Sequence, residues 1–511
     1  MSVYPEDPPR LAWSMWKRFL AAAATIVFLV TTASATAVLL EVDSAVDAFN
    51  RFNTPIADVE EVLDDVDAGD PQTILVLGSD RRWGDTKAKI RPRSDTIILV
   101  RLDPSKGATA VLSIPRDLKV EYQGPQGVYN DKINAAYSIG GPRATVRKVK
   151  ELMQSVDGEP FPIHHVVNVN FGAFTRAVNK LGCFYVDVDR RYFNDNQPPV
   201  QSPTNYATID LKPGYQKLCG QDSLDFVRFR HLDTDIVRGA RQQHYLAEAK
   251  DQLGVERLFR DRRELLELFG RYTDTDIRSS SAVLRLLKLT YESTRTPLRR
   301  VNFRAELGEE FVTISEERLA KVREEFLTAS GSQGATGQTK RRASTSASRK
   351  RRKNRRPSQT VPGLDRTGQA AEDAAILAGA KLPFPVYYPK LIVRGGRFWD
   401  GFSSSDPRTY DLFDQTGRKH RAYRMVIEAP GIGEYIGVQG TDWKDPPVLA
   451  NPTSTQKAGG RTFKLFRDGS RLRMVAWQTP NATYWVSNTL LRSLTNRQMI
   501  GIARSLSRAG S

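Results

Sequence analysis

Beyond residue 70 the chain alternates short apolar runs with amphipathic stretches. "TILVL" at 73–77 reads as a strand that stops at Gly-Ser-Asp. "SDTIILVRLDP" (94–104) is a second strand ended by a turn, and "ATAVLSIPRD" (108–117) a third, closed by Pro115. "GGPRATVRKVKELMQ" has helical spacing, with Val146, Val149 and Leu152 on one face. "HHVVNVN" is again strand-like, "FGAFTRAVNKLG" reads as a helix ended by Gly182, and "CFYVDV" as a further strand. The stretch 237–269 is rich in helix formers, and "EERLAKVREEFL" (316–327) closes the block as a helix. Apolar strands interleaved with amphipathic helices predict an α/β domain over 71–327, with a central mixed sheet flanked by helices.

The pattern then stops. Residues 329–360 hold almost no large apolar side chain, so the segment buries too little surface to offset the entropy of ordering. A basic disordered linker is expected over 328–362. After it, "VYYPKLIVRGG", "RAYRMVIEA" and "TFKLFRDGSRLRMVAWQT" read as strands, with Asp468-Gly469 as a hairpin turn. Thr495 and Gln498 form a capping-box pattern that opens a last helix at 496–506. A smaller α+β domain is therefore expected over 363–511. Arg397, Trp399, Trp443, Trp477, Tyr484 and Trp485 offer it either a sugar-stacking surface or ordinary core and rim aromatics.

Ahead of the α/β block, residues 19–40 read "FLAAAATIVFLVTTASATAVLL" without a charge. At about 1.5 Å per helical residue such a run spans the roughly 30 Å hydrocarbon core. Trp13 and Trp16 stand where interfacial aromatics belong. Arg10, Lys17 and Arg18 precede the run, and Glu41, Asp43 and Asp47 follow it. The Lys/Arg excess predicts a cytoplasmic tail (1–18), a single transmembrane helix (19–40) in the cell membrane, and an extracytoplasmic remainder. A cleaved signal peptide is the rival, because "ASATA" supplies small residues. Residues 41–70, acidic and weakly periodic, read as a helical stalk or spacer.

Compartment changes the meaning of two further features. Cys183 and Cys219 are the only cysteines. Outside the cytoplasm a disulfide between them is expected; the other reading is two buried free thiols. The net charge is +18, and ten basic residues lie between Lys340 and Arg356. Elsewhere that run would read as a nuclear signal or a nucleic-acid patch. Beyond a membrane it reads as attachment to anionic wall polymers or lipid headgroups, or as a solvated spacer, and no nucleic-acid partner is expected.

The chemistry concentrates in "DFVRFRHLDTDIVRGARQQ", 225–243. Read as strand, loop and helix, it points Val227 and Phe229 into the core and puts Arg228 and Arg230 together on the other face, about 7 Å apart by strand rise. Two guanidiniums so placed repel unless an anion lies beside them. Asp233, Thr234 or Asp235 then caps a helix on which Arg238, Arg241 and Gln242 share a face. Planar, always-charged donors converging in this way suit phosphate oxygens. The competing reading is a salt-bridge network with Asp222, Asp225, Asp233 and Asp235. Asp80 ends the first strand and Asp95 begins the next, so their carboxylates can converge as hard oxygen ligands for Mg²⁺ (or Mn²⁺). Arg93 precedes Asp95, and Arg116 ends the third strand in "SIPRD". A metal inside a ring of Arg116, Arg228, Arg230 and Arg238 would neutralise a pyrophosphate from several sides.

"LGSDRR", "RSDTIILVRLDP", "LSIPRD", "DKINAAYSIGGP" and "DFVRFRHLDTDIVRGARQQ", in that order over 71–327, resemble the LytR-CpsA-Psr family of cell-wall ligases. The resemblance implies an extracytoplasmic α/β fold with an apolar groove for a polyprenyl chain. It implies metal-assisted transfer of a glycopolymer from a polyprenyl-pyrophosphate carrier to a muramic acid hydroxyl of peptidoglycan, as a phosphodiester. On this match Asp80 and Asp95 are the metal-associated acids. Arg93, Arg116, Arg228, Arg230, Arg238 and Gln242 bind the pyrophosphate, together with Lys132 and Asn134 of the "KIN" element. Asp235 is the proton acceptor, with His231 as the other candidate base. Val237 and Gly239 depart from the pattern, where related sequences often carry Gly and a larger apolar residue. Two other function classes share these residues: a non-catalytic wall-binding or regulatory protein, and a polyprenyl-pyrophosphate hydrolase.

Overall fold

A computed structural model describes residues 46–79 (without 48 and 68), 93–195, 208–229, 233–253, 260–285 (without 280 and 284), 296–330, 361–399 and 407–510 (without 432). The expected cytoplasmic tail, the span at 19–40 and most of the basic linker lie outside these residues. Among the described residues no helix is long and apolar enough to cross a membrane.

In chain order the first domain contributes strands β1 (Thr54–Pro55), β2 (Gln72–Ser79), β3 (Ser94–Asp103) and β4 (Ala108–Ile114), then helix α1 (Ala135–Met153). Strand β5 (His165–Asn170), helix α2 (Phe171–Lys180), and strands β6 (Phe184–Val188) and β7 (Gly214–Leu218) follow. Next come helices α3 (Gly220–Arg228), α4 (Asp235–Leu253) and α5 (Arg262–Tyr272). Strands β8 (Asp274–Thr275) and β9 (Leu298–Val301) and helix α6 (Glu316–Thr328) complete it. A mixed sheet runs in the order β1-β8-β5-β2-β3-β4-β9, with β2 antiparallel to β3 and parallel to β5. This is the expected α/β architecture.

Alternation along the strands sorts the sheet into two faces. Leu75, Leu77, Ile97, Leu99, Leu112 and Ile114 bury against Val146 and Val149 of α1 and Val322 and Phe326 of α6. The other face carries Ile74, Leu102 and Val167, with Val76, Val100, Val169 and Phe269 only half-buried around them. Helix α1 is broken at Gly140–Gly141, where Gly141 has φ +62° and Pro142 follows. A residue with a Cβ resists that left-handed conformation, so the Gly-Gly-Pro run sets the kink.

Two expectations need correction. "DFVRFR" is not a strand: Phe226–Arg228 close helix α3, whose Ser223, Leu224 and Phe226 are buried. Six residues with apolar positions at 226, 227 and 229, preceded by Leu224, fit a helical period as well as alternation, and the longer buried stretch decides. The second concerns residues 46–70, expected as part of a stalk. Val46 and Phe49 pack with Leu266 and Ile277, while Ile56, Val59 and Val62 join the main core. Strand β1 pairs with β8, so this segment is an edge of the domain.

The C-terminal part forms an antiparallel sheet whose central strands are Lys419–Glu428, Tyr435–Thr441, Thr483–Ser487, Arg471–Gln478 and Arg461–Asp468. Helices α7 (Gln369–Gly379) and α8 (Asn496–Ser505) pack on it. Thr495 and Gln498 make the expected capping box, and Gly469 (φ +58°) turns the expected hairpin. Trp477, Tyr484 and Trp485 are core residues, whereas Trp399 and Trp443 are half-exposed.

This domain docks on β6, β7, β9 and α4. Tyr185 and Tyr215 join one apolar cluster with Tyr410, Leu412 and Trp485. Asp187 accepts from Arg424 (2.7 Å) and from Trp485 Nε1 (3.3 Å), all three buried. Arg300 pairs with Asp468 at 2.8 Å and Arg473 with Glu248 at 3.1 Å. A Cβ at Gly214 would lie 2.5 Å from the Tyr410 hydroxyl, so close approach there requires glycine.

Candidate functional site

The stretch that gathers four arginines around two acids resolves into two separate networks. Asp233 belongs to the interior. It pairs with Arg241, which is fully buried, and with Arg190 at 2.8 Å. Arg241 also donates to the carbonyls of Phe226 (3.1 Å) and Phe229 (2.7 Å) and to the Tyr192 hydroxyl (3.1 Å). It therefore satisfies the C-terminal carbonyls of α3 and ties α3 to α4.

Asp235 opens α4 and faces the end of β4. Its Oδ2 accepts from the backbone N–H of Arg116 at 2.6 Å, and its carboxylate pairs with Arg238 one turn on. Burial pushes the Asp235 carboxyl above its ordinary value, against the pull of Arg238 and Arg116. With Oδ2 hydrogen-bonded to Arg116 and Oδ1 ion-paired to Arg238 without a hydrogen bond, Asp235 first serves to hold these two arginines. Accepting a proton from a substrate requires the Arg238 contact to open.

Arg116 reaches from the end of β4 to Asp95 on β3, hydrogen-bonding its Oδ1, while Arg228 stands 4.0 Å from Asp95 Oδ2. The Arg228 guanidinium lies 3.8 Å from the Phe171 ring centroid at the start of α2. Thus β3, the end of β4 and α3 each bring one charged group, and α4 brings two, to the ends of two neighbouring strands. Gln242 donates to Thr96 Oγ1 (3.0 Å) and to the Val227 carbonyl (3.2 Å), linking α4 to β3 and α3. Gly239 permits this closeness, because a Cβ there would meet the Ser113 Cβ at 3.0 Å. A small pocket between β3, β4 and α4 is lined by Asp95, Thr96, Asp235, Arg238 and Gln242 among others.

Lys132 and Asn134 support Arg116 from the side. Lys132 pairs with Asp117 at 3.2 Å, and Asp117 lies 3.8 Å from Arg116 Nε. The Asn134 backbone donates to the Arg116 carbonyl (3.3 Å), and its buried Oδ1 has no hydrogen-bond partner among the described residues. Arg93 is exposed just ahead of β3. Asp80, Arg230 and His231 lie outside the described residues.

Among the described residues no group of three or more His, Cys, Asp or Glu side chains is placed to hold a metal. Asp95 alone of the two expected metal acids can be assessed. It is ion-paired to Arg116 through Oδ1 and stands 4.0 Å from Arg228 through Oδ2, so a cation there would compete with both guanidiniums. The Cys183–Cys219 disulfide is present and joins the residue before β6 to the residue before α3.

Sequence reasoning missed Arg190, Tyr192 and Asp117. Arg190 follows β6 in "DVDRRYF", between Asp189 and Arg191, where no spacing marks it.

A mixed α/β domain that gathers guanidiniums and carboxylates at the ends of two central strands, with a half-buried apolar face on the same sheet, defines the class. The LytR_cpsA_psr family model matches residues 28–322, and the chain belongs to that family. An uncharacterized protein of Staphylococcus aureus is 38% identical over 179 residues, 34% of this chain and 41% of the relative. The polyisoprenyl-teichoic acid–peptidoglycan teichoic acid transferase TagV of Bacillus subtilis is 32% identical over 210 residues, 41% of this chain and 50% of TagV. The chain thus spans half or less of the length of these two relatives. The crystal structure of B. subtilis TagV aligns at 27% identity over 50% of this chain and 96% of that one, with a TM-score of 0.39.

Proposed function

We propose that this protein is a membrane-anchored, extracytoplasmic phosphotransferase. It moves a glycopolymer from a polyprenyl-pyrophosphate carrier to peptidoglycan and leaves a phosphodiester link. The observation that carries this reading is the meeting of Arg116, Arg228 and Arg238 around Asp95 and Asp235. The name borne by TagV and membership of the family support it.

In the reaction an acceptor hydroxyl oxygen attacks the phosphorus that bears the glycan. The bond from that phosphorus to the bridging oxygen breaks, polyprenyl phosphate leaves, and the hydroxyl proton passes to a base or to water. Charge grows on the bridging oxygen, and preorganised guanidiniums stabilise it. Arg116 and Arg228 flank Asp95 for this task. Arg238, Arg230, Arg93 and Gln242 complete the pyrophosphate cradle, and Lys132 and Asn134 steady Arg116. Asp235 fixes Arg238 and the Arg116 backbone, and is the described acid that can take the proton once its Arg238 contact opens. Asp80 and Asp95 would hold Mg²⁺ or Mn²⁺, which supplies positive charge to phosphate oxygens when bound. The half-buried Val76, Val100 and Val169 offer an apolar face for the prenyl chain.

The test uses the full chain in detergent with a glycan-pyrophosphoryl-polyprenol, Mg²⁺ and peptidoglycan fragments. Glycan joined to the fragments, with EDTA abolishing the reaction, supports transfer. Phosphate release without joining identifies a hydrolase, and binding without turnover a wall-binding protein.

A further inference from the structure

We infer that the C-terminal domain is a working part of the catalytic module: its 433–435 segment, the turn at Gly433 and the start of the strand at Tyr435, clamps the Arg190–Asp233–Arg241 cluster and so positions the start of α4, which presents Asp235 and Arg238. The functional consequence rests on the reading above; the clamp itself does not.

Arg190 is 2% exposed, yet carries a full charge in the interior. It donates to Asp233 (2.8 Å) and to the Arg191 carbonyl (3.1 Å). Aromatic rings close its remaining sides: Tyr192 at 4.6 Å, Phe229 at 5.2 Å and Tyr435 at 5.3 Å from the guanidinium carbon to each centroid. The first two rings come from the catalytic domain, and the third from the C-terminal domain. A buried guanidinium is stabilised by ring faces and a carboxylate in place of water, so Tyr435 excludes water from the cluster.

The neighbouring residues fit the same role. Gly433 has φ +73°, and a Cβ there would lie 2.9 Å from the Val237 methyls and 3.2 Å from Asp233 Oδ1. The turn therefore sits directly on the first turn of α4. Val237 is 1% exposed and packs with Leu490 of the C-terminal domain. This accounts for the departure at 237: the apolar side chain there is the docking contact for the second domain. Glu434 is held from behind by the Ser493 hydroxyl at 2.9 Å. Asp233 stands two residues before Asp235, so any loosening at Arg190 passes to the helix start that carries the site.

Hydrogen–deuterium exchange on the full chain in detergent tests the clamp, with wild type, Tyr435→Ala and Tyr435→Phe compared. In Tyr435→Ala the amides of 233–241 are expected to exchange at least tenfold faster, while those of 471–487 keep wild-type rates. Tyr435→Phe, which retains the ring, restores protection. In the transfer assay Tyr435→Ala should lower kcat/KM at least tenfold, and Tyr435→Phe should recover it. Wild-type exchange at 233–241 in Tyr435→Ala, or equal loss in the Ala and Phe variants, overturns the proposal. If Tyr435→Ala also exposes 471–487, Leu490→Ala is read in its place by the same criterion at 233–241. A wild-type chain that shows protection but no transfer rejects the function and leaves the clamp standing.

Discussion

Asp233 and Asp235 are separated by one residue and belong to different structures. The first is sealed between Arg190 and Arg241, and the second faces the pocket with Arg238 and the Arg116 backbone. Removing one partner of a buried pair leaves an uncompensated charge and costs about 3–5 kcal/mol. Asp233→Asn is therefore expected to lower unfolding stability by an amount of that order, measured by chemical denaturation. Arg190→Met should cost a similar amount, and the double variant clearly less than the sum, because the two side chains interact directly. Strict additivity would show that they do not.

Arg116→Ala and Arg228→Ala test the other network. Both side chains face Asp95, which lines the pocket; they are 18% and 19% exposed. The Arg116 backbone bond to Asp235 survives truncation of its side chain. Each variant should keep its melting temperature within a few degrees. Each should lose about 10²- to 10³-fold in the rate of polyprenyl-phosphate release, the usual effect of deleting one preorganised donor. A fully active Arg228→Ala would contradict the assignment of the site.

The strands and most helices were legible because their apolar positions repeat over enough residues to fix a period. Ser94–Asp103 and Glu316–Thr328 agree with the pattern almost to the residue. Helix α3 was not legible, since "DFVRFR" is too short to separate alternation from a helical face. The site was legible as a set of residue types. Which acid answers which arginine was not, because Asp233 and Asp235 differ only in what the fold brings against them. Arg190 and Tyr435 lie 245 positions apart and meet only once the second domain docks. The same holds for Asp187 with Arg424. Contacts between domains leave no local period to read.

The disulfide closes a 36-residue separation between the residue before β6 and the residue before α3. Chain-entropy arguments put such a loop at about 3–4 kcal/mol. It anchors the N-terminal end of the helix that ends in Arg228. Cys183→Ser with Cys219→Ser should lower the denaturation free energy by an amount of that order and leave the side chains of Asp95, Arg116 and Arg228 chemically unchanged. Reduction of the wild type by a strong thiol should reproduce the loss. Equal stability of the oxidised and reduced protein would count against this account.

The interface between the domains carries a pair of groups with opposed pH responses. Glu248 and His244 sit one helical turn apart on α4, their closest ring and carboxylate atoms 4.0 Å apart, and Arg473 donates to Glu248 at 3.1 Å. Burial pushes the Glu248 carboxyl up to about 7 from its ordinary 4.5, against Arg473. Burial, with Arg300 and Arg473 adding to it, pushes the His244 imidazole down to about 3 from 6.5. The raised acid contributes stability that is present below pH 4.5 and is lost as pH rises through 7. The depressed base contributes stability that is present above pH 6.5 and is lost as pH falls toward 3. Between pH 4.5 and 6.5 the two slopes oppose, each about 1.4 kcal/mol per unit for a single proton. Glu248→Gln should unmask the histidine, so that the variant loses stability on acidification across that window more steeply than wild type by about that slope. His244→Gln should do the reverse and lose stability as pH rises from 4.5 to 7. Denaturation curves collected at half-unit pH steps decide it; profiles of wild type and Glu248→Gln that stay parallel would remove Glu248 from the account.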